Sequence, residues 1–175
     1  KPTNQMTSAA HFLVPRSFNE SFVIHYNPSL YLSLRFYRLH PRIEAHEALA
    51  GYLNSSLLAL FIETLGNRNL GQGVLNFYMK DFLRLRIPVV IENDDIARAF
   101  QKLKDRPIRN VWQESGLEEG TQTGTAKPSP KPMEDRAELD EVIFDAIGLT
   151  RRERNAVYTA LAKSVEARQS KAKSR

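Results

Sequence analysis

Two periodicities divide the first half of the chain. Phe22 to Tyr26 is dense in strand-forming types. From Leu30 to Phe36, Leu30, Leu32, Leu34 and Phe36 alternate with Tyr31, Ser33 and Arg35, the period of two expected of a half-buried strand. Pro28 marks the turn between these runs, and Pro41 closes the second. The spacing then becomes helical: Ala45, Ala48, Leu49, Tyr52, Leu53, Leu57, Leu60, Phe61 and Leu65 predict one long apolar helix from about Ile43 to Leu65, stopped at Gly66 and Asn67. Gly51 lies inside it. A mid-helix glycine costs ~1 kcal/mol relative to alanine, so a close packing contact is expected there.

Beyond that helix, residues 66–73 form a polar, glycine-rich loop. Val74 to Tyr78 reads as a short strand, and Lys80 to Leu85 as one or two helical turns ended by Ile87-Pro88. A helix from about Asp95 to Leu103 is expected behind a cap at Asn93 or Asp94, and Trp112 is expected to anchor the end of this body. Residues 117–135 contain three prolines and two glycines and no aromatic residue, and read as a flexible linker. A helical hairpin follows. Leu139, Val142, Ile143, Ala146 and Ile147 form one stripe, and Gly148 stops that helix. Thr150 to Glu153 is a capping box, and Ala156, Val157, Ala160, Leu161 and Val165 form the second stripe. The expected fold class is α+β: a small antiparallel or mixed sheet packed on a long helix (1–116), a linker (117–135), and a C-terminal hairpin with a basic tail (136–175).

Charge changes this picture in one place. Residues 151–175 hold eight basic and two acidic side chains, whereas the other 150 residues carry 17 basic and 18 acidic ones. The net charge of +5 therefore belongs to the C-terminal segment. Such an end suits phosphate contact, and equally a solvated helix end. Cysteine is absent, which excludes disulfides, thiol nucleophiles and thiolate zinc sites. No apolar run approaches the ~20 residues needed to cross a bilayer. There is no secretory signal and no initiator Met before Lys1, so a fragment of a soluble, cytoplasmic protein is expected.

Catalytic motifs are missing. His46-Glu47 begins a zinc-peptidase pattern, but Ala50 stands where the second ligand is required. The chain contains no Glu-x-Lys or Asp-x-Lys nuclease pattern, no nucleophile elbow and no P-loop. Gly71-Gln72-Gly73 precedes a strand rather than a helix and reads as a tight turn. Leu149 to Arg154 resembles the opening of a LuxR-type helix-turn-helix, but no recognition helix follows.

A broader likeness runs through the chain. It is carried by Leu53-Asn54-Ser55-Ser56-Leu57-Leu58-Ala59-Leu60-Phe61, Asn69-Leu70-Gly71-Gln72-Gly73-Val74-Leu75-Asn76-Phe77, Lys80-Asp81-Phe82 and Ile87-Pro88. In this order they resemble the C-terminal target recognition region of N6-adenine DNA methyltransferases of restriction–modification systems, and more loosely the specificity subunits of type I restriction enzymes. Val23 to Pro28, Phe36-Tyr37 and the segment from Leu139 to Arg168 fit the same region, so the likeness covers most of residues 18–170. It implies a bacterial DNA-binding part whose partners are double-stranded DNA and the catalytic methyltransferase domain of the same chain. S-adenosylmethionine would be bound by that catalytic domain. The family's Pro-Pro catalytic motif is missing, and Asn27-Pro28-Ser29-Leu30 only echoes it; the cofactor's glycine motif is missing too. No catalytic, cofactor or metal residue is therefore expected in this chain.

For reading base edges, the suitable side chains are Arg35, Arg38 and Arg42 in the strand region and Asn67, Arg68, Asn69 and Gln72 in the loop. The resemblance favours scaffolding for the loop and base reading for the strand region, led by Arg35 and Arg38. For Arg35, a plain polar strand face is the competing reading. Lys80 and Arg84 on the short helix suit phosphate, or are simply solvated. The alternative function is a non-catalytic interaction module that docks a methyltransferase or nuclease partner and barely binds DNA, which the near-neutral charge of the body favours.

Overall fold

The computed structural model describes residues 9–33, 35–68, 73–88, 93–120 and 129–174. The class is α+β, with two small antiparallel sheets and seven helices among the described residues. The chain enters along β1 (Phe12–Val14), turns at Pro15 and continues as β2 (Ser17–Phe18). β1 is the centre of the first sheet, between β3 (His25–Tyr26) and β4 (Tyr37–Leu39). β2 pairs with β6 (Leu75–Asn76), which also pairs with β5 (Asn67–Arg68), completing the second sheet. Every pairing is antiparallel. Arg16 links the sheets: its guanidinium lies 5.2 Å from the centre of the Tyr37 ring, and its carbonyl accepts from the Phe77 N–H at 2.9 Å.

The long helix expected over 43–65 is two helices, α1 (His46–Leu53) and α2 (Ser56–Leu65), bent by 60°. The break is built by polar side chains that prefer the backbone to solvent. The Ser55 hydroxyl accepts from Leu58 N–H and caps α2. Asn54 accepts from Ile24 N–H at 3.1 Å and donates to the Ile24 carbonyl at 2.9 Å. It thereby satisfies both backbone groups of Ile24, the residue leading into β3. No single helix among the described residues is long and apolar enough to cross a membrane; α1 and α2 together pass that test by composition only, and both line the core.

The described residues of the alternating run 30–36 form no strand; Leu34 lies outside them. Asn27 grips the chain instead: its carboxamide accepts from Tyr31 N–H and donates to the Tyr31 carbonyl, while Leu30 N–H bonds the Asn27 carbonyl. Leu30 takes a positive φ of 55° within this turn. Leu30 and Leu32 face solvent, Phe36 is half-buried edge to face with His25, and the strand begins only at Tyr37.

Helix α3 (Met79–Phe82) and helix α4 (Asp94–Leu103) follow their sequence signals, with Asn93 capping α4 at 2.8 Å. Ile96, Ala99, Phe100 and Leu103 make the buried face of α4. Helix α5 (Val111–Ser115) carries Trp112, which is fully buried as expected. The close contact expected at Gly51 is present: a Cβ there would lie 2.7 Å from Ile96 Cγ2 and 3.1 Å from Leu139 Cδ1.

The C-terminal helices α6 (Glu134–Ala146) and α7 (Arg151–Lys173) join the same core rather than standing apart. α6 lies against α1 and α4, while α7 lies along α2 and α5. Phe144 and Tyr158 meet edge to face where the two helices approach each other. The Thr150–Glu153 capping box forms as expected. Of the stretch 117–135 expected to be a linker, residues 121–128 lie outside the described residues, and both flanks are held. Leu117 is buried, Lys131 N–H bonds the Ser115 carbonyl at 3.0 Å, and Met133 N–H bonds the Glu114 carbonyl at 3.1 Å. Gly116 (φ 60°) lets this crossing happen, since a Cβ there would strike the Lys131 carbonyl.

Candidate nucleic-acid interface

Ionic networks that fix the C-terminal helices decide which basic side chains are left for solvent. In the first, Arg106 donates to Glu114 Oε1 at 2.7 Å and Oε2 at 2.9 Å, and also pairs with Asp135. Arg136 donates to Glu114 Oε2 at 3.0 Å and to the Asn54 carbonyl at the α1–α2 break. Burial pushes the Glu114 carboxyl up, but the Arg106 hydrogen bonds, the Arg136 charge and the Arg109 N–H outweigh it and leave it below its ordinary value. Asp135 is lowered chiefly by its hydrogen bond to Arg106. Asp140, fully buried on α6, is different. It accepts from Ser56 N–H at the start of α2 at 2.8 Å, yet burial dominates and raises its pKa.

The second network corrects the reading of the basic tail. Arg168 is 3% exposed and faces Glu63, which is 0% exposed. Its Nε lies 3.0 Å from Glu63 Oε1, its Nη2 donates to the Asn19 carbonyl at 2.7 Å, and its Nη1 donates to the Gly73 carbonyl. Arg168 is thus an internal staple joining α7, α2 and the β5–β6 hairpin, and is not available to phosphate. The same staple seats the last turn of α7 on Gly73: a Cβ at that glycine would meet Ala172 Cβ at 3.5 Å. Exposed Lys171 and Lys173 are thereby carried beside the hairpin. Sequence spacing gave no sign of this, because Gly73 and Ala172 are separated by more than half of the chain.

The candidates divide into two groups. Asn67 and Arg68 are both exposed on β5, an edge strand. Asn67 donates to Asp81 Oδ2 at 2.8 Å, so its carboxamide ties the hairpin to α3 and is partly engaged. Arg68 lies 3.9 Å from Glu63 and is otherwise turned outward, 43% exposed. Lys80 is exposed on α3, 5.8 Å from the centre of the Tyr78 ring, and Arg84 is exposed one turn on. Asn69 and Gln72 lie outside the described residues. Two acids in this neighbourhood, Glu63 and Asp81, are buried and engaged by Arg168 and by Asn67 with Tyr78 N–H, while a third, half-buried Glu20, accepts from Gln169 at 2.7 Å. Arg68, Lys80, Arg84, Lys171 and Lys173 are exposed around the hairpin, with Glu63 and Asp81 turned inward and Glu20 held by Gln169.

Of Arg35, Arg38 and Arg42, only Arg38 belongs to a strand, in the other sheet. Arg38 lies in the edge strand β4 opposite Leu13 and is half-buried. Arg35 and Arg42 are exposed but lie outside any strand, in the segments before and after β4. The polar strand face expected at Arg35 does not form, because β4 begins at Tyr37.

Two open clefts flank β3. One, of about 580 Å³, is bounded by Ile24, His25, Phe100, Leu103 and Lys104. Burial lowers the His25 pKa there. Two other lining groups, Asn54 and Arg106, are already engaged in the fold. The other cleft, of about 760 Å³, includes Arg42, His46 and Asp94. Among the described residues no group of three or more His, Asp or Glu side chains is arranged to hold a metal ion. No protein-family model, curated protein or solved structure matches the chain.

Proposed function

We propose that this chain is the DNA target recognition part of an N6-adenine DNA methyltransferase of a restriction–modification system, separate from the catalytic domain that would bind S-adenosylmethionine. The observation that carries the DNA-binding part of this reading is the sorting of charge around the β5–β6 hairpin. Five cations from three distant stretches of sequence face outward there, while Glu63 and Asp81 are drawn inside. Phosphate contacts from such a surface would set register on the duplex, and base-edge contacts would add specificity. The methyltransferase part rests on the sequence resemblance alone.

The test is duplex binding by this chain across a salt series, followed by selection from a random duplex pool. Expected is association with a dissociation constant of ~10⁻⁴ to 10⁻⁶ M at physiological salt, weakening steeply as salt rises. Weak sequence enrichment is also expected, since half of the clamp is elsewhere. Salt-independent binding, or none, would contradict the reading.

A second reading, a module that docks a protein partner, is favoured by one other observation. The Asn27-clamped turn exposes Leu30, Tyr31 and Leu32, with Tyr31 73% exposed. Binding of a catalytic subunit that is lost on replacing Tyr31 and Leu32 with Ser, without any duplex binding by the parent chain, would favour that reading instead.

A further inference from the structure

Seven large apolar side chains are notably exposed among the described residues, and four of them, Tyr78, Met79, Leu83 and Ile87, fall within ten residues around α3. Leu83 is the most exposed of all at 80%. The helix continues past its formal end: Leu83 N–H bonds the Met79 carbonyl at 3.1 Å, and Arg84 N–H bonds the Asp81 carbonyl at 3.0 Å. Residues four apart on a helix are neighbours, so two rows run side by side. Met79 and Leu83 make an apolar row, and Lys80 and Arg84 make a basic one. Asp81, the acid of this segment, points inward and is 3% exposed.

The platform behind these rows is braced by hydrogen bonds and ring packing. Asp81 accepts from Tyr78 N–H at 3.0 Å and from Asn67, and Phe82 packs edge to face on buried Phe77. After the turn, the Tyr52 hydroxyl donates to the Arg86 carbonyl at 2.6 Å; burial pushes that phenol up to about 12. An exposed Leu at the tip of a braced helical turn, with cations alongside, needs a partner that is apolar at one point and anionic around it.

We infer that residues 79–84 form a wedge for the minor groove of duplex DNA. Leu83 partly unstacks one base step and Lys80 and Arg84 contact the flanking phosphates. This rests on the reading of the chain as a DNA-binding part. Apolar wedges of this kind kink duplexes by roughly 20–90°. Two alternatives fit the surface less well. An interfacial membrane helix needs a longer apolar face than one turn supplies. The core of a protein interface is depleted in Lys, whereas here Lys80 borders the apolar row directly.

The experiment uses the whole chain with a duplex labelled at both ends for energy transfer and carrying 2-aminopurine. Binding should bring the ends together and raise 2-aminopurine emission. L83A should bind within about threefold of the parent with the same salt slope, but lose most of the bend and of the emission rise. Its folding should be unchanged, because the replaced side chain is exposed. K80A/R84A should instead lower the salt slope by roughly 2, at ~0.9 per phosphate contact. A parent chain that binds without bending, or an L83A chain that bends DNA fully, overturns the wedge and leaves the DNA-binding reading intact. No duplex binding by the parent overturns both. Leu83-dependent binding to phosphatidylserine vesicles, with none to duplex, would assign the surface to a membrane instead.

Discussion

Arg168 and Lys171 stand three residues apart on one helix, and they do opposite things. Arg168 points into the protein, where it meets a fully buried carboxylate and two backbone carbonyls. Lys171 points out, beside the hairpin that Arg168 holds in place. Arg106 and Arg136 repeat the inward arrangement around Glu114, while Arg68 and Lys80 repeat the outward one. Arginine suits the inner positions because its planar fork serves several acceptors at once. A count of basic residues cannot distinguish these roles, so the positive end of the chain is in part a structural device.

Breaking the inner side should have the largest effect. R168M leaves buried Glu63 without its hydrogen-bonding partner, with only Arg68 at 3.9 Å, and should cost about 3–5 kcal/mol in urea unfolding. R168M/E63L removes both charges and should recover most of that loss. If R168M unfolds at the parent's midpoint, the buried staple is not present in solution. G51A asks whether α6 is packed as tightly as the ionic network implies. The added methyl meets Ile96 and Leu139, and the overpacking should outweigh the helix-propensity gain, for a net loss of about 1–2 kcal/mol. A stabilised G51A would show a looser contact between α1, α4 and α6.

The carboxylates of the inner network give a pH signature. Glu114 and Asp135 have lowered pKa values when folded, so their contribution is present above the ordinary values of 4.5 and 3.8 and is lost as pH falls through the folded-state values. Asp140 has the opposite sign. Its raised pKa favours the folded state most below the ordinary value of 3.8, a contribution lost as pH rises through the folded-state value. D140N should therefore be neutral or stabilising at pH 7, with its advantage over the parent shrinking toward pH 4. An advantage that grows on acidification would show that the sign is wrong.

The smallest effect on stability belongs to the outer side. K171A/K173A should leave unfolding within about 0.5 kcal/mol of the parent, as for ordinary surface substitutions. R168M and K171A/K173A thus separate the two classes of cation on a single helix.

Much of this fold was legible in the sequence where local chemistry decides structure. Asn93 and Thr150 cap their helices, Val157, Leu161 and Val165 of the α7 stripe are buried while its Ala156 is exposed, and Gly51 marks a close approach. The failures share a cause. Asn54 and Asn27 each use a side chain to satisfy backbone elsewhere, the first breaking a helix and the second turning a would-be strand into a loop. Their hydrophobic neighbours carry the period of the structure that does not form, and the partner backbone of Asn54 lies 30 residues away. The candidate surface was legible only in part. Asn67, Arg68 and Lys80 were identifiable by residue type. Their meeting with the end of α7 was not, because it depends on Arg168 reaching 95 residues back to Gly73 and 105 to Glu63.

The central claim, that the outward cations around the hairpin face DNA, is tested most directly by the salt dependence of duplex binding for the parent chain and for R68A/K171A/K173A. At ~0.9 per phosphate contact, the slope of log K against log salt should fall by roughly 3 in the triple variant if all three residues meet phosphate, with folding unchanged. A triple variant with the parent's slope and affinity would contradict the account and place any DNA contact elsewhere on the chain.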